Sequence, residues 1–201
     1  MSRNKGIIGA VVVVVIIIFI YSFQGQSPES YKAEIEKKRD AQESFMRNSN
    51  ESPFVEQNIK FEGLKFYPPN QKYKIRARFT AKENPEVREL ATSEGEPEEY
   101  LEYGYAIFTL DNKEQQLIIL ENVQEGVLFL AFADETSADE TYGGGRYLEL
   151  KHDGSKSILL DFNLAYNPYC AYTAGYSCPL PPKENLLTVA IRAGEKTYKE
   201  L

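Results

Sequence analysis

Three hydrophobic patterns follow one another along the chain. Ile7 to Phe23 reads IIGAVVVVVIIIFIYSF, continuously apolar and uncharged. At about 1.5 Å per helical residue it reaches roughly 26 Å, and with Lys5 snorkelling it can cross a hydrocarbon core of about 30 Å. The second pattern has a helical period. Ser27-Pro28-Glu29 places an N-cap serine, a proline in the first helical position and an acid in the first turn. Tyr31, Ile35, Gln42, Phe45 and Met46 then fall on one face, with Glu34, Glu36, Lys37, Lys38 and Arg39 mostly elsewhere, until Asn48-Ser49-Asn50 ends the helix. Such a helix can serve as a dimerising stalk or as a cap on the domain. Its apolar stripe is far too short for a coiled coil, which favours the cap.

From Phe61 the period drops to two. Phe61–Tyr67 and Tyr73–Phe79 alternate apolar with polar, as half-buried strands do, and Pro68-Pro69-Asn70 separates them. Glu94–Glu99 reads as an acidic loop. Tyr103–Leu110, Gln116–Leu120 and Val127–Phe132 come next, joined by turns at Asp111-Asn112-Lys113 and Gln124-Glu125-Gly126. Arg146–Leu150, Ser157–Phe162 and Leu187–Arg192 complete the set. Short strands at close spacing, without helices long enough for crossovers, predict a mainly β antiparallel sandwich or barrel-like domain. One amphipathic helix and an N-terminal transmembrane helix precede it. The expected layout is a short tail over 1–5, an anchor over 6–24, linker and helix over 25–50, and the β domain over 51–201.

Charge gives this layout an orientation. Arg3, Lys5 and the terminal amine precede the apolar segment, and the first charge after it is Glu29. The positive-inside rule then keeps the N-terminus cytoplasmic and sends the soluble domain to the periplasm or exterior, as a single-pass membrane protein. A cleaved signal peptide fits less well, because the apolar stretch exceeds the usual length of about 7–15 residues and no small-x-small site comes after it. The formal net charge of −7 over 201 residues argues against nucleic acid as a partner, since phosphate binding needs clustered cations. One His and two Cys leave little for a metal centre. No metal or other cofactor is expected.

Three stretches hold more Gly, Pro, Tyr and polar residues than strand connections require. In Asp134–Tyr147, the glycines Gly143, Gly144 and Gly145 could let backbone N–H groups converge on an anion, with Arg146 adding a bidentate contact. The bland reading is a glycine bulge that turns one strand into the next. In Asp161–Tyr172, an acid (Asp161) and an amide (Asn163) share one face, backed by Tyr166 and Asn167. They suit a sugar or an oriented water, or simply satisfy the turn. Tyr166, Tyr169, Tyr172 and Tyr176 cluster there as a stacking platform or as loop packing. Cys170 and Cys178 enclose seven residues, and in an oxidising compartment they are expected to form a disulfide, against free thiols or a metal pair. No G-x-S-x-G elbow supports a nucleophilic triad. Asp134, Glu140, Asp161 and Glu195 are the raw material for carboxylate hydrolysis.

The motifs ETYGGGRYL (140–148), LDFNLAYNPYCAY (160–172), CPLPPKENLL (178–187) and RAGEK (192–196) resemble the bacterial and archaeal domain-of-unknown-function family 1684. The resemblance runs from about Tyr31 to the C-terminus and brings no activity with it. It implies that any family site falls on Glu140, Tyr142, Gly143, Gly144, Gly145, Arg146, Asp161, Asn163, Asn167, Glu184 and Asn185. With Tyr169 from the tyrosine platform, these are the candidate ligand-binding residues. The leading expectation is a membrane-anchored extracytoplasmic domain that binds an envelope ligand such as a glycan. A carboxylate-dependent envelope hydrolase and a structural partner in an envelope complex are the alternatives, so enzyme or binder stays open, as does the oligomeric state.

Overall fold

The computed structural model describes residues 26–198. The apolar segment Ile7–Phe23 lies outside them, and among the described residues no helix is long and apolar enough to cross a membrane. Helix α1 (Pro28–Asn48) starts as its sequence predicts: Ser27 Oγ accepts the Ser30 N–H at 3.2 Å. A short helix α2 (Pro53–Glu56) comes next. The strands are β1 (Lys74–Ala81), β2 (Val87–Leu90), β3 (Glu98–Leu110), β4 (Lys113–Asn122), β5 (Leu128–Phe132), β6 (Arg146–Leu150) and β7 (Ser157–Asp161).

These seven strands make a single antiparallel sheet in the order β6-β5-β4-β3-β1-β7, with β2 added beside the first half of β3. The sheet curls into a half-barrel. Its two end strands, β6 and β7, come into contact but share no ladder. The β3–β4 hairpin turns on Asp111 (φ 51°) and Asn112 (φ 60°), the pair of left-handed residues that a tight two-residue turn with the correct twist demands.

Alternation along the strands sorts side chains onto two faces. The concave face gathers Phe79, Phe108, Leu117, Ile119, Leu130, Phe132, Leu148 and Leu160 around one core, which Leu187, Val189, Ile191 and Ala193 enter from the C-terminal segment. The convex face carries Tyr100, Ile118 and Leu120 at one end and Ala131, Tyr147 and Cys178 at the other. Helix α1 packs on the domain rather than standing free. Tyr31, Ile35 and Met46 are buried, Arg39 lies 4.5 Å over the Phe66 ring, and Arg39 Nη1 donates to Tyr67 O at 2.8 Å.

The structure departs from the periodicity in two segments that lie outside the sheet. Phe61–Tyr67 and Leu187–Arg192 alternate like strands, yet neither builds a ladder. The first keeps one bridge, Phe66 to Glu195. The second fills the concave face, where its alternate residues are buried by the sheet; backbone bonds from Leu187 N to Ala133 O and from Glu135 N to Val189 O fix it. Strand β3 starts within the acidic stretch read as a loop, because β2 pairs with Glu98–Leu101. There is one curled sheet here, not two packed sheets.

A buried ion pair ties the C-terminal segment to the sheet. Arg146, 1% exposed, donates from Nη2 to Asp134 Oδ2 at 2.8 Å and to Ile191 O at 2.9 Å, and from Nη1 to Glu195 O at 3.1 Å and to Ala193 O. Asp134 in turn accepts from Ile191 N at 3.1 Å and Thr136 N at 2.9 Å. Removing one partner of such a pair strands a buried charge. Arg146→Met is therefore expected to lower the unfolding free energy by about 3–5 kcal/mol, read from the urea midpoint, with Arg146→Lys recovering little because an ammonium cannot span the same acceptors.

Candidate functional site

Most of the positions singled out from sequence turn out to be structural joints. Arg146 is enclosed by its carbonyl acceptors and offers nothing to an external anion. The glycine loop is packed rather than open: a Cβ on Gly144 would lie 2.5 Å from the Tyr142 ring. Gly145, at φ +89°, would meet Pro181 Cγ at 2.5 Å and Phe132 O at 2.7 Å. Gly143 lies at the surface beside Ala138. Asp161 accepts the Tyr31 hydroxyl at 2.7 Å and the Asn163 N–H at 3.2 Å. Asn163 closes a two-way bond with the backbone of Asn70, and Asn185 spans Ile118 N, Ile118 O and Ala131 O where β4 and β5 diverge. Glu184 takes a bidentate contact from Arg88 at 2.9 and 3.1 Å, and Glu140 accepts from Tyr67 at 2.9 Å and Arg192 at 2.8 Å. These residues are not brought together into one site.

The described concave surface that is richest in aromatic rings lies on the convex face of the sheet. Tyr147 and Glu149 project from β6; Tyr166, Tyr169 and Tyr176 come from the loops after β7; Gln42, Phe45 and Met46 come from α1. Together with Pro168, Ser177, Cys178 and Pro179 they line a cleft of about 490 Å³. Strand alternation aims Tyr147 and Glu149 outward while Leu148 and Leu150 face the core. Tyr166 is pinned to the β6 edge by reciprocal backbone bonds with Tyr147 at 2.8 and 3.0 Å. The rings stand edge to face: Tyr169 against Tyr176 at 5.3 Å, and Tyr147 against Tyr166 at 6.0 Å. Tyr147 donates to Pro179 O at 2.6 Å and Tyr176 to Glu56, which holds both rings in place. Tyrosine hydroxyls, the Ser177 hydroxyl, one exposed carboxylate and the Gln42 amide are the polar side-chain groups within an otherwise apolar wall.

Behind this wall lies a buried carboxyl. Glu195 is fully enclosed and accepts from Tyr172 at 2.9 Å, from Asn167 N at 3.1 Å and Nδ2 at 2.9 Å, and from Gln42 Nε2 at 3.3 Å. Burial pushes its pKa up to about 7, against the downward pull of those donors. Tyr172, wrapped in the same pocket, is raised well above the ordinary phenol value by burial and by the neighbouring carboxylate. Gln42 thus touches both the cleft and the buried acid. Asn167 Oδ1 is buried with no hydrogen-bond partner among the described residues.

Cys170 and Cys178, the pair expected to bond in an oxidising compartment, stand here as two free cysteines. They do lie together: the Cys170 N–H donates to Cys178 Sγ at 3.3 Å, and the Tyr142 hydroxyl points to Cys170 Sγ at 3.7 Å. The sulfur pair is arranged as a hydrogen-bonded dithiol at the edge of the cleft. The tyrosine cluster and the cysteine pair are adjacent in the sequence and stay adjacent in the fold. Tyr147, Glu149 and the helix residues join them only in the fold, and the signals for this in the sequence are the outward register of β6 and the apolar face of α1.

A family model described as "Protein of unknown function (DUF1684)" matches residues 59–196. Among solved structures, the chain resembles the solution NMR structure of an uncharacterised protein of Haloarcula marismortui, at 35% identity over 86% of this chain and 97% of that one, with a TM-score of 0.67. No curated protein matches the chain.

The raised acid has a stability signature. Because the folded-state pKa of Glu195 lies above the ordinary 4.5, its contribution is fully present below that pH, declines as pH rises and is gone once pH passes about 7. The loss amounts to roughly 3 kcal/mol. Glu195→Gln is expected to flatten this part of the profile, seen as a smaller difference between urea midpoints at pH 5 and pH 8 than in the wild type.

Proposed function

The chain belongs to the DUF1684 family of proteins of unknown function, and from that starting point we propose that it is a binding domain whose aromatic cleft takes a sugar ring of an envelope glycan. One observation carries this reading: tyrosines from a strand and two loops converge with Phe45 on one cleft, with Glu149 and Gln42 as its polar contacts. Apolar ring faces stacked on tyrosine and hydroxyls directed at a carboxylate and an amide are what such a surface selects. The apolar segment Ile7–Phe23 would tether the domain, with the cleft outside the cytoplasm. The hydrolase alternative finds less support. Asp161 and Glu140 are engaged by their own partners, and Glu195 sits behind Gln42 rather than in the cleft.

Binding can be read from intrinsic tyrosine fluorescence, since the chain has 14 Tyr and no Trp. With the full-length chain in a detergent lacking a sugar headgroup, a panel of envelope oligosaccharides is expected to include at least one that saturates. Tyr169→Ala and Tyr176→Ala should each weaken it roughly tenfold with little change in melting temperature. No saturation across the panel, or unchanged affinity in both variants, would overturn the reading.

A further inference from the structure

Cys170 sits in the tight turn Tyr169–Ala171 and is half-buried; Cys178, 6% exposed, forms part of the cleft wall. Ser93 anchors the backbone of the second cysteine, donating from N to Cys178 O at 2.8 Å and accepting at Oγ from Cys178 N at 3.1 Å. The first sulfur is the more accessible of the two and accepts the Tyr142 hydroxyl at 3.7 Å, while the second accepts the Cys170 N–H at 3.3 Å. Its greater exposure and its phenol donor make Cys170 the sulfur that reacts first, with Cys178 buried beside it. Cys170 is accordingly held below the ordinary thiol value and Cys178 pushed above it, each chiefly by the hydrogen bond between them.

We propose that Cys170 and Cys178 are a reactive dithiol that exchanges with small-molecule disulfides, Cys170 attacking and Cys178 resolving. The Cys170 thiolate attacks one sulfur of the disulfide, forming a mixed disulfide and expelling the other sulfur as a thiolate, which takes up a proton. Cys178 then gives up its proton, attacks Cys170 Sγ and displaces the second small thiol. The protein loses two electrons and two protons, and the small disulfide gains them as two thiols. The short loop between the cysteines contains Tyr172 and Tyr176, so closing the bond would fasten one wall of the cleft and one donor to Glu195. This inference stands apart from the glycan reading, since it concerns sulfur reactivity and not what the cleft binds.

The test uses the full-length chain, first reduced with dithiothreitol and freed of it, then exposed to oxidised glutathione and quenched with an alkylating agent for mass spectrometry. The wild type is expected to lose two hydrogens, release two thiols per chain and accumulate little adduct. Cys178→Ser should retain one glutathione on Cys170, and Cys170→Ser should react at least tenfold more slowly than Cys178→Ser. Far-UV circular dichroism confirms that both variants fold. The proposal is overturned if the two variants react at equal rates, if the wild type keeps its adduct without closing, or if the folded chain arrives with a bond that dithiothreitol does not open, which would mark a purely structural disulfide.

Discussion

The guanidinium of Arg146 fastens the C-terminal segment to β6 and to the loop that carries Asp134. It is buried among apolar side chains at the start of β6, and it holds Asp134 on one side and three alternate carbonyls (Ile191, Ala193 and Glu195) on the other. A planar fork with several donors is the one side chain that can meet that set of acceptors in a dry interior. Its partners are backbone oxygens of a segment that has no ladder of its own. Without the arginine, residues 191–195 would have unpaired carbonyls facing the core, at a cost of desolvated polar groups that apolar burial alone would not offset.

This joint sets the position of everything behind the cleft. Fixing Glu195 by its backbone leaves its carboxyl free to meet Tyr172, Asn167 and Gln42, and Gln42 lies one helical turn from Phe45 and Met46 on the face of α1 that walls the cleft. The helix is held independently at its start by Tyr31 on Asp161 and at its middle by Arg39. Cleft, buried acid and dithiol are therefore three sides of one packed region, assembled from the helix, one edge of the sheet and the loops after β7.

Much of this fold was legible in the sequence, and the failures share a cause. The helix start, the hairpin at Asp111-Asn112 and the strands of the central sheet arise from local chemistry: capping, left-handed turn residues and alternation. Local pattern cannot tell a strand from an extended segment that buries alternate residues without a neighbour, and so Phe61–Tyr67 and Leu187–Arg192 read as strands. The same limit applies to the candidate site. Asp161, Asn163, Asn185 and Arg146 carry the polar chemistry of a binding site, but each is engaged by a group more than 40 residues away, which only the fold reveals. Tyr169 and the cysteine pair lie in one loop, so the sequence alone places them side by side. Tyr147 and Glu149 could be joined to them only once β6 was known to face the helix.

The C-terminal segment has a consequence for how the chain is made. Leu187, Val189, Ile191 and Ala193 supply part of the concave core, and they are the last of its contributors to be synthesised. The sheet can pair strand by strand as it emerges, but its interior stays wet until these residues arrive. The domain therefore completes its core late, after nearly all of it has left the ribosome. Through that interval its curled sheet presents an apolar hollow that has to be kept from other chains.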